Sequence, residues 1–113
     1  MAQQKTTRNI EILQGATFKL TLRFRDSLGL NLINVGDTAR MQIRAEKSQT
    51  APLILDCAAY ISIVSGVIFL EIPATVTAGL TFEAAYYDIE LVQGSAVRRL
   101  SQGTVVLDKG VTA

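Results

Sequence analysis

The chain has 113 residues, 11 basic and 10 acidic side chains, a formal net charge of +1, one cysteine and no histidine or tryptophan. This length suits one domain, and an apolar share of 49% is too high for intrinsic disorder. The near-zero net charge provides no overall field that would attract nucleic acid or an anionic membrane. A lone thiol excludes an internal disulfide, and no apolar run approaches the roughly 20 residues of a membrane helix.

The N-terminal segment is polar and has no apolar stretch of the secretory-signal type. We therefore expect a soluble protein that is synthesised in the cytoplasm. Residues 1–8 are predicted to form an N-terminal arm and residues 9–113 a single β-sandwich domain. The arm is interpreted as a tether to a neighbouring molecule; the alternative is that it folds back on its own sandwich as an extra edge strand.

Apolar and polar residues alternate with a period of two along three segments, at residues 18–24, 39–45 and 85–91. Such alternation predicts half-buried strands. Shorter apolar stretches predict further strands at residues 10–14, 53–55 and 104–107, and Pro73 begins a short helical turn that reaches Leu80.

Two tight hairpins are predicted. A two-residue loop at Ser65-Gly66 places Ile63 opposite Ile68 and apolar residues opposite each other along the whole hairpin. A second turn at residues 93–95 joins strand 86–92 to strand 96–101, with Glu90 opposite Arg99 or Arg98 depending on loop length.

Many short strands with regularly spaced turns predict an all-β fold, an immunoglobulin-like antiparallel sandwich of about seven to nine strands. Its core is predicted to contain Phe18, Leu20, Leu22, Phe24, Met41, Ile43, Ile61, Ile63, Ile68, Leu70, Ile72, Ile89 and Leu91. Tyr87 falls with the apolar set, so its hydroxyl needs a partner.

The sequence contains few side chains that could catalyse a reaction. Without histidine there is no usual general base near neutral pH, and Cys57 is interpreted as a packed, inert thiol. Asp88 and Glu90 share a strand face and could hold a hard cation or act as an acid/base pair, but pairing with neighbouring arginines is favoured. We expect no enzyme activity, no catalytic residue, no cofactor and no metal.

Basic residues on two predicted strands could contact phosphates, but a solvated face or a charged protein interface is favoured because no aromatic residue is interleaved. The candidate protein interface is formed by basic residues of the arm and of the strands, together with one tyrosine: Lys5, Arg8, Lys19, Arg23, Arg25, Arg40, Arg44 and Tyr86.

Five segments in order, at residues 12–18, 39–44, 66–75, 87–91 and 100–107 with Val111-Thr112, resemble small tailed-phage virion proteins, including the N-terminal domain of phage baseplate upper proteins. The resemblance covers nearly the whole chain and rests on the order and spacing of the segments. It implies an immunoglobulin-like sandwich that serves in the virion, and it implies no catalytic residue.

The sequence-based hypothesis is therefore a virion structural protein, an adaptor of the bacteriophage tail, baseplate or neck that acts in a multi-copy assembly. Its expected partners are copies of itself and tail, portal or capsid proteins, with no specific nucleic acid and no membrane. One alternative is a capsid decoration protein. Another is a carbohydrate- or ligand-binding sandwich, which the absence of tryptophan disfavours.

Overall fold

The computed structural model describes residues 6–110, which fold into two β-sheets packed face to face. The strands are β1 (Thr6–Thr7), β2 (Ile10–Leu13), β3 (Phe18–Leu22), β4 (Thr38–Arg44), β5 (Leu53–Asp56), β6 (Ile61–Val64), β7 (Val67–Ile72), β8 (Ala84–Gln93) and β9 (Ala96–Asp108). One helical turn, α1 (Ala74–Thr77), and a 3-10 turn at Ala58–Tyr60 complete the described part. The predicted all-β sandwich is confirmed.

The larger sheet has the order β1-β9-β8-β4-β5, and β2 also pairs with β9. Strands β9, β8, β4 and β5 are antiparallel neighbours, whereas β1 and β2 run parallel to β9. Strands β1 and β2 pair with β9 in the same register, since Thr6 lies beside Ser101 and Ile10 lies beside Val105. The two strands therefore follow one another along the same edge of β9. The sheet is therefore mixed rather than wholly antiparallel as expected.

The smaller sheet has the order β3-β7-β6. Its β6–β7 hairpin has the predicted register, with Ile63 opposite Ile68 and Val64 opposite Val67. Both loop residues have positive φ, 51° at Ser65 and 73° at Gly66, which matches the twist of the strands in a two-residue hairpin. None of the helices in the described part is long or apolar enough to cross a bilayer.

The core lies between the two sheets. It contains seven of the thirteen residues predicted for it, namely Met41, Ile43, Ile68, Leu70, Ile72, Ile89 and Leu91. The other six, Phe18, Leu20, Leu22, Phe24, Ile61 and Ile63, are only half-buried. They come from β3, from the residues just after it and from β6, and an edge strand of a three-stranded sheet has no neighbour to cover its outer flank.

Ten buried core residues are absent from the predicted core set, although packing was expected for Cys57 and Tyr87: Ile10, Ile12, Ile33, Cys57, Leu80, Ala85, Tyr87, Leu100, Val105 and Leu107. Several lie on β2 and β9. The prediction of two separate strands at residues 96–101 and 104–107 is wrong, because β9 runs unbroken from Ala96 to Asp108. The pairing shifts between Ile89 and Glu90, and this bulge leaves Leu100 and Ser101 both buried.

Residues 6–8 of the predicted arm lie along β9 as an edge strand. The backbone N–H of Arg8 donates to the carbonyl of Gln102 at 2.8 Å, and the Tyr87 hydroxyl donates to the carbonyl of Arg8 at 2.7 Å. A Cβ at Gly103 would overlap that carbonyl, so the close approach requires glycine. Residues 6–8 therefore fold back on their own sandwich as an extra edge strand, which was the alternative to a tether. The rest of the predicted arm, including Lys5, lies outside the described residues.

Candidate interaction surfaces

The outer face of the larger sheet carries rows of polar side chains across β4, β8 and β9. The register sets Arg40, Glu90 and Arg99 in one row. The next two rows are Gln42, Asp88 and Gln102, and Arg44, Tyr86 and Thr104. Alternation along each strand places all nine on the face opposite the core, and all except the exposed Arg40 are half-buried.

The charged members of these rows pair with one another. Arg40 Nε donates to Glu90 Oε1 at 2.8 Å. The Arg99 guanidinium lies 3.6 Å from Asp88 Oδ2, through Nε, and 3.6 Å from Glu90 Oε2, through Nη2. The interpretation of Asp88 and Glu90 as partners of neighbouring arginines is thus confirmed, and so is the Glu90–Arg99 register of a two-residue loop.

Asp88 has a perturbed acidity. Burial raises the pKa of its carboxyl, and the nearby Glu90 carboxylate raises it further. Arg99, Arg40 and Arg44 oppose this shift because positive charge favours the ionised form. Among residues 6–110, no three thiol or carboxyl groups are arranged to hold a metal ion.

The rows form the floor of a cleft with a volume of about 810 Å³. Residues 46–49, from the loop between β4 and β5, line one side, and Thr7 and Asn9 line the other. Arg44 reaches the loop, since its Nη1 donates to the carbonyl of Ala51 at 2.7 Å while Nη2 donates to Gln42 Oε1 at 2.9 Å. Part of the floor is thereby fixed to one wall.

The predicted interface residues do not form one patch. Arg40, Arg44 and Tyr86 come together in the cleft. Lys19 lies on the outer face of the smaller sheet, where its ammonium is 3.8 Å from the Glu71 carboxylate. A sandwich turns its two outer faces away from each other, so a continuous basic surface over β3 and β4 is excluded.

Arg23 and Arg25 follow β3 in the loop of residues 23–37, which crosses from the smaller to the larger sheet. This loop carries the three most exposed large apolar side chains of the described part: Leu28 at 84%, Leu30 at 63% and Val35 at 106% of full exposure. Val64, 57% exposed, precedes the β6–β7 turn at the same end of the sandwich. We call Arg23, Arg25, Leu28, Leu30, Val35 and Val64 the loop end.

Hydrogen bonds fix the loop end. Asp26 Oδ1 accepts from the backbone N–H groups of Leu28 and Leu30, both at 2.9 Å, which closes a turn around Gly29. Gln93 Nε2 donates to the Leu32 carbonyl at 2.9 Å and to Asp37 Oδ2 at 2.7 Å, which ties the loop to β8. The leucines are therefore presented to solvent by an ordered turn.

The exposed leucines of this turn were not predicted from the sequence. The available signal was a leucine on each side of Gly29, where turn positions usually carry polar residues. Cys57, in contrast, is buried as expected, and burial, followed by the Asp56 carboxylate, raises the pKa of its thiol to about 12.

The fold and these surfaces define an all-β sandwich with a charge-paired outer cleft and an apolar loop end. No protein-family model matches the chain, and no curated protein matches it. A solved structure of a family 123 glycoside hydrolase from Clostridium perfringens, described for glycolipid glycan hydrolysis, is similar over 96% of this chain with a TM-score of 0.38 and 11% identity. The chain spans 24% of that protein's length.

Proposed function

We propose that the chain is a non-catalytic structural protein of a tailed-phage particle, an adaptor of the tail, baseplate or neck that works through protein–protein contacts. The observation that carries the proposal is the loop end. Large apolar side chains that are exposed at one end of a domain indicate a site of association, and here an ordered turn presents Leu28 and Leu30 to solvent. The sequence segments resemble those of small phage virion proteins, and this resemblance is the reason for proposing a phage particle as the assembly.

Fixed backbone geometry supports the same proposal. A contact that must be made repeatedly in one particle benefits from a backbone that is already ordered, because less conformational entropy is lost on binding. Leu28 and Leu30 meet this condition through the Asp26 carboxylate. Among residues 6–110, β3 and β6 are the edge strands of the smaller sheet and have no strand on their outer flanks, where another chain can pair.

The test is incorporation into particles. We expect a tagged chain to co-purify with phage particles, and Leu28→Ser with Leu30→Ser to lower its occupancy without lowering the unfolding temperature of the isolated domain. Leu53→Ser, at a residue 47% exposed on β5, is the matched control and should incorporate normally. Absence of the chain from purified particles contradicts the proposal, and its copy number and position separate a tail or neck adaptor from a capsid decoration protein.

The cleft favours a second candidate, a ligand-binding sandwich. Its volume of about 810 Å³ lies within the range of small-molecule sites, roughly 300 to 1,000 Å³. Tyr86 supplies an aromatic ring beside planar amide, carboxylate and guanidinium groups, which suit sugar hydroxyls. Titration with a panel of neutral oligosaccharides, followed by amide chemical shifts, tests it: shifts confined to the cleft and lost in Tyr86→Ala favour this candidate, and an unresponsive spectrum excludes it.

A further inference from the structure

A second group of exposed apolar side chains, bordered by carboxylates, lies at the far end of the strands from the loop end. Glu11 on β2 pairs with Val106 on β9, and Leu13 pairs with Asp108. Leu13 and Val106 are 50% and 46% exposed. Glu83 joins them, because its carbonyl accepts from the Leu107 N–H at 3.0 Å. We call these five residues the acidic end.

The carboxylates of the acidic end are available to a partner. Within residues 6–110, no cation lies within 4.0 Å of the side chains of Glu11, Glu83 or Asp108. The neighbouring ammonium of Lys109 leaves an excess of negative charge. Asp108 Oδ1 accepts from the Gly110 N–H at 3.0 Å, a bond that keeps this carboxylate at the surface.

The loop end has the reverse arrangement. The same loop also contains two carboxylates, Asp26 and Asp37, which equal the two arginines in formal charge and accept hydrogen bonds from backbone and amide groups of the loop and of Gln93. Arg23 and Arg25 are exposed, and in the described part of the chain neither forms an ion pair. The loop end therefore presents leucines and valines flanked by outward guanidinium groups.

We propose that the loop end of one copy docks on the acidic end of the next, so that the chains associate head to tail. This inference rests on the proposed function and names the partner of its loop end. Each surface offers apolar side chains for burial and charges of opposite sign for orientation, and the complementary surface is present on the same chain. Charge complementarity steers such contacts and suppresses wrong partners.

The two surfaces lie at opposite ends of β9, which runs from the loop end at Ala96 to the acidic end at Asp108. Thirteen residues of strand span roughly 40 Å, so the loop end and the acidic end of one copy cannot contact each other. A contact between two different surfaces is heterologous, and it propagates until the copies close into a ring or continue as a filament. That behaviour suits a protein present in several copies around a particle axis.

Two variants, each with one charge reversed and one apolar residue replaced, test the contact. The loop-end variant is Arg25→Glu with Leu28→Ser, and the acidic-end variant is Glu11→Lys with Leu13→Ser. All four side chains are exposed, so folding should survive and is checked by thermal unfolding. Lys19→Glu, on the outer face of the smaller sheet, is the charge-reversal control. Sedimentation velocity over micromolar to millimolar concentrations measures the assembly.

We expect the wild type and Lys19→Glu to form oligomers that grow with concentration, and each end variant alone to remain monomeric. An equal mixture of the two variants should give dimers and nothing larger, because only one intact loop end and one intact acidic end remain per pair. Self-association of the acidic-end variant alone overturns the proposal, since it indicates that loop ends contact each other.

Monomeric wild type at millimolar concentration also overturns it. So does binding of the loop end to phosphatidylserine vesicles in the absence of self-association, which would make lipid its partner. These outcomes are separable from failure of the proposed function: a chain that is monomeric in solution yet present in purified particles rejects head-to-tail contact and leaves the adaptor role standing.

Discussion

The Tyr87 hydroxyl lies 2.7 Å from the carbonyl oxygen of Arg8 and 3.0 Å from Ser101 Oγ, beside the two residues that separate β1 from β2 along β9. Tyr87 is 4% exposed, so its hydroxyl depends mainly on these two partners in the protein. A core residue of β8 thus holds the N-terminal edge of the larger sheet.

Removing this hydroxyl should destabilise the domain. Tyr87→Phe leaves the Arg8 carbonyl and the buried Ser101 hydroxyl without a partner, at an expected cost of about 1 to 3 kcal/mol in the free energy of unfolding. Denaturant unfolding measures it, and amide exchange at residues 6–10 should quicken. Tyr86→Phe, one residue away on the outer face, is the matched control; an equal loss there would contradict the assignment.

Gly103→Ala tests the same edge from the backbone side. The new Cβ overlaps the Arg8 carbonyl oxygen and comes 3.1 Å from Asn9 Oδ1, so the edge strand must shift. We expect a loss of about 1 to 3 kcal/mol, as for other overpacking changes, and faster proteolysis near residues 6–9. Gly79→Ala, where the nearest atom is 3.6 Å from the added Cβ, should keep wild-type resistance to the protease.

The sequence predicted the hairpins because a two-residue loop determines the register of both strands, as Ser65-Gly66 does for Ile63 and Ile68. The parallel pairing of Ile10 with Val105 joins residues far apart in the chain and leaves no local pattern. The bulge at Leu100 was not predicted either. It shifts the alternation of inward and outward side chains by one residue, so that the single strand β9 resembles two separate strands in the sequence. Arg40 and Lys19 were placed correctly on outward positions, but their separation depends on which sheet each strand joins.

The Cys57 thiol should make stability depend on alkaline pH. Burial raises its pKa from 9.0 to about 12, so between these values the folded chain keeps a proton that the unfolded chain releases. Stability should therefore fall as pH rises through this window. The denaturant midpoint, followed from neutral to alkaline pH, should fall more steeply for the wild type than for Cys57→Ala; parallel profiles would remove the thiol as the cause. Thiol reagents at mildly alkaline pH should label the unfolded chain only.

The pKa of Asp88 should change in opposite directions when an acidic neighbour or a basic neighbour is removed. Burial and Glu90 raise the pKa of the carboxyl, while Arg99 lowers it. Arg99→Ala should therefore raise the midpoint of the Asp88 side-chain carbon resonance, and Glu90→Gln should lower it. If both variants move the midpoint the same way, the charge pairing in the cleft differs from that described.

The parallel edge also determines how the domain carries force. Traction on the residues before β1 and after β9 pulls β2 and β9 in opposite directions along their common axis, because both strands run the same way. The backbone bonds between Ile10–Leu13 and Val105–Asp108 are then loaded together rather than opened one at a time. Rupture under such shear requires several bonds to fail at once, and it is governed by the barrier to unfolding rather than by equilibrium stability. A domain held by its two ends is thereby a stiff link that resists tension.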